Sequence, residues 1–318
     1  MKLFRDSAPL DDSAEAAAEL VGDVDAETLI KDYWVTQALH VLAEEYAGFF
    51  AFKGGTSLTK ALKCVDRFSE DIDILITDKP DDMSFDRLMK AIAASVSDLT
   101  GLTGDRVGGT TNVWRSVEFS YPTRHESVLR PAILLEMGVR GNDDPEHIVR
   151  AVGPLLADVK REGFEPAQYS DLQAFEVDVL HPARTLWEKV VLLHRDVTTG
   201  EWKNHDPSRF ARHYGDVGAL LALPDVRELL DDRGVRTHID HDVRDVSARW
   251  FGGEPPPPPV GGYARSDAFV LSDEFGEYLG KHFAEAVATL WAPSSRPSLD
   301  QVLRIVQDSA EMLDPGQD

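Results

Sequence analysis

Residues 71–76, Asp71-Ile72-Asp73-Ile74-Leu75-Ile76, alternate in a way that suits a strand. Successive side chains on a strand point to opposite faces, so Asp71 and Asp73 share one face while Ile72, Ile74 and Ile76 share the other. Just upstream, residues 49–53 are apolar and aromatic and predict a buried strand, which Gly54-Gly55 ends. Thr56 follows as a candidate cap for a short helix over 57–63. Helical spacing covers 26–46, with Leu29, Tyr33, Val35, Leu39 and Leu42 among the apolar positions, and 84–99, with Phe85, Leu88, Met89, Ile92 and Val96. Residues 112–121 and 131–139 read as two further strands. In the second, Ile133, Leu135 and Met137 form one face and Glu136 points the other way. Residues 1–24 read as a loose acidic segment or short helix, 145–166 as a connector and 174–180 as a short strand. From Pro182 onward the pattern is nearly all helical, with final helices over 272–290 and 297–313. Between them Pro255 to Pro259 form an unbroken run that suits an extended polyproline II segment, a stiff linker or a partner site. The predicted class is α/β (α+β): a core domain over 1–170 and a mostly helical domain over 171–318.

Length and composition narrow the chemistry. A chain of 318 residues buries enough surface for two domains. The single cysteine, Cys64, excludes an intrachain disulfide framework and a cysteine-rich zinc site. No apolar run approaches membrane-spanning length and the start does not read as a signal peptide, so a cytoplasmic protein is the expectation. The net charge of −23 argues against a protein that coats nucleic acid, although it leaves room for a local basic groove. Arg184, Lys189, Arg195, Lys203, Arg209, Arg212 and His213 do fall within one short span. That span reads either as ordinary helix-surface charge or as such a groove.

The glycine turn and the alternating carboxylates form one constellation. Free N–H groups after a glycine turn attract phosphate. Two carboxylates side by side repel unless a cation lies between them. Magnesium takes carboxylate and phosphate oxygens, so Asp71 and Asp73 are the first candidate metal ligands. Gly54, Gly55, Thr56 and Ser57 are candidates for the phosphates, with Arg67 and Ser69 within reach of them. Thr56 or Ser57 could equally serve as a helix cap, and Arg67 could pair with Glu70 or Asp66. Lys189 shares a helix face with Thr185 and could reach a β- or γ-phosphate, though most helical lysines are simply solvated. There is no Gly-x4-Gly-Lys-Ser/Thr loop, which weakens the case for a P-loop ATPase.

At Lys53-Gly54-Gly55-Thr56-Ser57-Leu58 and Arg67-Phe68-Ser69-Glu70-Asp71-Ile72-Asp73 the chain resembles the AbiEii/AbiGii-type nucleotidyltransferases, which include the MenT toxins. The resemblance extends to Lys31-Asp32-Tyr33-Trp34-Val35, Pro131 to Glu136, His181 to Lys189 and Arg212-His213-Tyr214-Gly215-Asp216, covering roughly residues 25–222. It departs at Gly215, where a larger residue is common, and the last hundred residues match nothing in it.

The resemblance implies a nucleotidyltransferase fold, a mixed sheet with flanking helices, plus a C-terminal helical bundle. It implies transfer from a nucleoside triphosphate to an acceptor hydroxyl with release of pyrophosphate. It also implies a toxin of a toxin–antitoxin pair, with a transfer RNA 3′ end as acceptor and a cognate antitoxin as a possible partner. It makes Glu136 a candidate third carboxylate, against a plain solvent-facing residue. It makes Asp216 an active-site residue that orients Lys189 or the acceptor, while Asp32 reads as a structural partner within the first helix. The same machinery could modify a protein or small molecule, or the fold could be a silent nucleotide-binding module.

Overall fold

The computed structural model describes residues 2–22, 24–67, 69, 71–124, 131–142, 144–159, 164–250 and 253–316. Phe68, Glu70 and the 160–163 part of the expected connector lie outside these. The chain divides into two units. The first comprises Met1–Ala61, Phe68–Arg140 and His147–Val179; the second comprises Leu62–Arg67, Gly141–Glu146 and Leu180–Asp318.

The first unit runs α1 (Phe4–Ser7), α2 (Leu10–Val21), α3 (Ala26–Glu45), β1 (Phe50–Lys53), α4 (Gly54–Lys60), β2 (Asp71–Ile76), α5 (Phe85–Thr100), β3 (Thr103–Thr110), β4 (Trp114–Ser120), β5 (Ala132–Gly138), β6 (Ile148–Val152) and β7 (Phe175–Val179). Among the described residues the strands form one seven-stranded mixed sheet in the order β3-β4-β5-β2-β1-β7-β6. Central β2 pairs antiparallel with β1 and parallel with β5. Its isoleucines Ile72, Ile74 and Ile76 are buried, as are Ile133, Leu135 and Met137 of β5 and Val117 and Phe119 of β4. Helices α3 and α5 pack on the sheet, and α5 contributes Leu88, Met89, Ile92 and Val96 to the core. Ser84 caps α5 by accepting from the Arg87 N–H, and Gly101 closes it in the left-handed region at φ 79°.

Three elements differ from the sequence reading. The short helix begins at Gly54 and ends at Lys60, rather than running over 57–63, and Lys53 occupies the cap position. Gly54 has φ +75°, which only glycine adopts readily, so the chain turns one residue after the strand and winds at once. Thr56 therefore sits inside the helix and does not cap it. Two strands went unread. β3 (TGDRVGGT) is polar, glycine-rich and mostly exposed at one sheet edge; β6 (IVRAV) lies at the other edge, inside the expected connector. Edge strands need no continuous apolar face, so neither carries the usual signal.

The N-terminal segment is held by one buried carboxylate. Asp171, 3% exposed, accepts the Phe4 N–H at 2.7 Å and the Tyr33 hydroxyl at 2.5 Å. Gln37 donates to the Asp171 carbonyl at 2.7 Å. Asp32 accepts the Leu155 N–H at 2.7 Å and pairs with Lys60, so its partners lie beyond its own helix.

The second unit is helical: α6 (Pro182–Thr199), α7 (Pro207–Leu221), α8 (Pro224–Leu230), α9 (Arg233–Trp250), α10 (Asp273–Leu290) and α11 (Leu299–Asp308). Proline opens α6, α7 and α8, where its fixed φ and missing N–H cost nothing. Asp206 caps α7 by accepting the Arg209 N–H at 2.8 Å. Helix α7 packs against α6, α10 and α11. The proline run is neither helix nor strand. It is fixed by His194, whose Nε2 lies 3.1 Å from the Pro257 carbonyl and whose Nδ1 lies 2.7 Å from the Ser266 hydroxyl. Pro255 is buried, Pro257 is exposed and Pro256, Pro258 and Pro259 are partly exposed, so the run is anchored at its first residue and at the Pro257 carbonyl.

Replacing Asp171 by alanine leaves the buried Tyr33 hydroxyl and Phe4 N–H without their acceptor. The expected loss is about 3 kcal/mol of unfolding free energy, because unpaired buried donors retain their full desolvation penalty. Tyr33→Phe should cost less than half of that. Denaturant melts of both variants check the ordering.

Candidate functional site

The predicted residues fall into two sets, one in each unit. In the first unit the sheet register aligns them. Asp73 of β2 stands opposite Lys53 of β1 on one side and Glu136 of β5 on the other, and Glu136 stands opposite Ser116 of β4. Paired residues in adjacent strands share a face, so Lys53, Asp73, Glu136 and Ser116 form one row across four strands. Asp71 lies on the same face one row along, beside Leu134 and Glu118. Asp71 and Asp73 are partly exposed and Glu136 is exposed, while the isoleucine face is buried. The register thus brings the third carboxylate beside Asp73. Lys53 in the same row was not singled out as a site residue. Its signal was available: it ends the strand that precedes the glycine turn.

The glycine turn meets this row closely. A Cβ on Gly54 would lie 2.1 Å from the Asp73 carboxylate oxygen Oδ2. Only a residue without a side chain lets the backbone reach the carboxylate. The Thr56 and Ser57 hydroxyls are turned inward. Thr56, fully buried, donates to the Asp71 carbonyl and lies 2.8 Å from the Ser69 hydroxyl; Ser57 donates to the Gly54 carbonyl at 2.8 Å. These hydroxyls lock the turn onto β2. Both hydroxyls are thus committed to carbonyls of the protein itself.

In the second unit Asp216 of α7 is 0% exposed. Arg67 grips it with two hydrogen bonds, Nε to Oδ1 at 2.9 Å and Nη2 to Oδ2 at 3.0 Å. Lys189 of α6 reaches Oδ2 at 3.1 Å and His213 Nδ1 at 3.2 Å. The Arg67 guanidinium also lies over the Trp291 ring, 5.6 Å from its centre. A Cβ on Gly215 would lie 2.8 Å from Trp291, so the indole fills the space that a larger residue would take. Trp291 belongs to the stretch that matched no familiar pattern, and nothing in the sequence tied it to Arg67.

A family model for the nucleotidyl transferase AbiEii toxin of type IV toxin–antitoxin systems matches residues 40–302. The chain belongs to the AbiEii nucleotidyltransferase toxin family. Its mixed sheet with flanking helices is the fold that the sequence reading anticipated. No curated protein matches the chain. Among solved structures, the nucleotidyltransferase toxin MenT4 from Mycobacterium tuberculosis H37Rv is similar at 16% identity, with 94% of this chain and 98% of that one covered and a TM-score of 0.47.

Within this AbiEii chain, three residues differ from the expected placement. Arg67, a candidate for phosphate, has its side chain 1% exposed and committed to Asp216. Asp66 is not its partner in that bidentate pair, and Glu70 lies outside the described residues. Arg184, read as helix-surface charge or as part of a basic groove, is 0% exposed, paired with Asp242 and Glu188 and donating to the Asp144 carbonyl at 3.4 Å. Arg195 pairs with buried Asp196 at 2.7 Å. Of the basic span, Arg209 stands exposed and Lys203 pairs with Glu274 at the surface. Among the described residues, no group of three or more His, Cys, Asp or Glu side chains is placed to hold a metal ion.

Electrostatics explain the Asp216 cluster. Burial alone would raise its carboxyl pKa, but the charges of Lys189 and Arg67, with the Arg67 hydrogen bonds, hold it well below the usual carboxylate range. Burial drives His213 well below the usual histidine value, and the Lys189 charge adds to that. Neutral His213 can then accept from the Lys189 ammonium through Nδ1, with its proton on Nε2. Burial, with the Asp216 charge behind it, pushes the Cys64 thiol up to about 12, which keeps it protonated and unreactive.

Two outcomes follow. Arg67→Ala leaves Asp216 buried with one of its two cations, and removal of a buried partner costs roughly 3–5 kcal/mol. Lys189→Ala should also destabilise, though less, since its side chain is 11% exposed. The pH dependence has a fixed sign. A depressed histidine means that the unfolded chain binds a proton below about pH 6.5 which the folded chain refuses, so stability falls as pH drops through that value. The depressed Asp216 adds a further loss only once pH falls below the ordinary aspartate value of about 3.9. Thermal melts from pH 7 to pH 5 should decline, and His213→Asn should flatten the decline. Part of the slope remains, because buried His194 is lowered too. An identical slope in the variant would sink the assignment.

Proposed function

We propose that this AbiEii chain transfers a nucleotidyl group from a nucleoside triphosphate to the 3′ hydroxyl of a transfer RNA, with magnesium held on Asp71, Asp73 and Glu136. The row Lys53–Asp73–Glu136, fixed by strand register, carries the reading. With Asp71 one row along, it sets three carboxylates on one sheet face beside a glycine turn; among the described residues they are not gathered into a three-ligand cage, so magnesium there would draw on phosphate and water oxygens as well. Magnesium there would offset the triphosphate's charge and lower the pKa of the attacking hydroxyl.

The protein's own groups account for the rest. Gly54 and Gly55 bring backbone N–H groups to the phosphates, and Gly54 does so because no side chain stands between it and Asp73. Lys53 adds a positive charge in the same row. Thr56, Ser57 and Ser69 hold the turn in register with β2. In the second unit Asp216 and His213 fix the Lys189 ammonium. Lys189 and Arg67 together keep Asp216 ionised. The toxin family implies a cognate antitoxin as a partner chain. No described helix is long and apolar enough to cross a membrane.

The test is incubation with each labelled nucleoside triphosphate and magnesium, using separate RNA and protein pools. Labelled transfer RNA is the expected product, read by mass spectrometry of its 3′ end. Asp71→Asn and Asp73→Asn should each abolish label while leaving the thermal melt unchanged or slightly higher, since carboxylate repulsion is relieved. Near-wild-type transfer by either variant removes the metal assignment, and label found only in protein removes the RNA acceptor. Gly54→Ala should lose transfer as well, through collision with Asp73.

A further inference from the structure

We infer that Trp114, with Arg140, is the platform on which the terminal base of a nucleic-acid acceptor stacks. This rests on the nucleotidyl-transfer reading of the carboxylate face. In β4, Trp114, Ser116 and Glu118 alternate onto the face that carries Asp71, Asp73 and Glu136, while Val117 and Phe119 enter the core. Ser116 is in register with Glu136, and Trp114 follows one row on, opposite Gly138. Two strands across and one row along puts the Trp114 backbone about 12 Å from Asp73, from the spacings of a sheet.

The indole is seated, not loose. A Cβ on Gly108 of β3 would lie 2.8 Å from its six-membered ring, so glycine leaves the ring room to lie against the strand. The Arg140 guanidinium lies 5.4 Å from the ring centre. Both side chains remain only half-buried. With the guanidinium lying over the indole, the two form a stacked pair whose planar cation suits the π-face of a base.

In-line geometry assigns that surface to the acceptor. Nucleotidyl transfer forms a bond from the acceptor oxygen to the α-phosphorus as the bond to the bridging oxygen breaks; the acceptor hydroxyl gives its proton to water, and pyrophosphate leaves with the electron pair of the broken bond. Attacking and leaving oxygens lie on opposite sides of the phosphorus. The glycine turn follows β1, so the leaving phosphates belong on the β1 side of the carboxylates. The acceptor then approaches from the β5–β4 side, where Trp114 stands. A protein hydroxyl would have no use for a stacking platform there; a terminal nucleoside would.

The test uses the full chain, labelled nucleoside triphosphate, and as acceptor either transfer RNA or a short single-stranded RNA with a free 3′ end. Stacking on an aromatic side chain is worth roughly 5- to 150-fold per base. Trp114→Ala should raise the acceptor KM by roughly tenfold or more and leave the nucleotide KM within about twofold, while Trp114→Phe should recover most of the loss. Independently of turnover, titrating RNA into wild type without nucleotide should quench tryptophan fluorescence, and that quench should shrink in Trp114→Phe. Thermal melts confirm that each variant is folded. A nucleotide KM that rises while the acceptor KM stays constant gives the platform to the incoming base and overturns the inference. So does an acceptor KM unmoved in folded Trp114→Ala. Wild type that labels protein and never RNA overturns it as well. Wild type that labels nothing, yet shows the Trp114-dependent quench, instead strikes at the transfer reading and leaves the base platform standing.

Discussion

The pleat of a single strand constrains everything that the first unit does. In β2 each residue faces opposite its neighbours, so burying Ile72, Ile74 and Ile76 in the core fixes where Asp71 and Asp73 must point. A slip of one residue would bury both carboxylates and expose all three isoleucines. The hydrophobic gain from three isoleucines, on the order of 2 kcal/mol each, therefore enforces the carboxylate geometry at no further expense in binding residues. Pairing extends the same constraint sideways. Once β1 and β5 dock on β2, Lys53 and Glu136 have no choice of row.

In the second unit the organising interaction is a buried charge. Asp216 on its own would be intolerable, since moving a carboxylate out of water costs several kcal/mol. Two cations reverse the sign. Arg67 supplies a rigid fork matched to both oxygens, and Lys189 supplies a compact charge with hydrogens to spare. The division of labour follows from chemistry. Arg67 is buried, braced on Trp291 and always charged, so it suits permanent support. Lys189 is slightly exposed and, among the described residues, reaches Asp216 and His213.

Much of this was legible in the sequence, and the failures share a cause. The Asp71–Ile76 strand, the glycine turn, the α5 stripe and the proline-started helices all carry their own periodicity or punctuation. Pairing across long sequence separation carries none. Glu136 could be placed on a strand face but not beside Asp73, because register is a property of two strands. Arg67 read as a phosphate ligand because of its neighbours in sequence, whereas Asp216, 149 residues away, claims it. Arg184 read as surface charge because arginine is seldom fully buried, and its burial depends on Asp242 of a later helix. Strands β3 and β6 escaped because edge strands have no two-sided burial to imprint a pattern.

The same internal pairing bears on the RNA acceptor proposed for so acidic a chain. With a net charge of −23, long-range attraction to RNA is absent. Several arginines that would have supplied local attraction are instead structural: Arg67 on Asp216, Arg184 on Asp242, Arg195 on Asp196, and Arg236 on the carbonyls of Leu230 and Asp231. Affinity built on phosphate neutralisation requires exposed cations and falls steeply with salt. Affinity built on stacking requires neither. For the RNA acceptor proposed above, a half-buried indole two strands from Asp73 is the kind of contact that suits so acidic a transferase, because it draws on a base's flat face rather than on a charge that the protein has already committed to its own core.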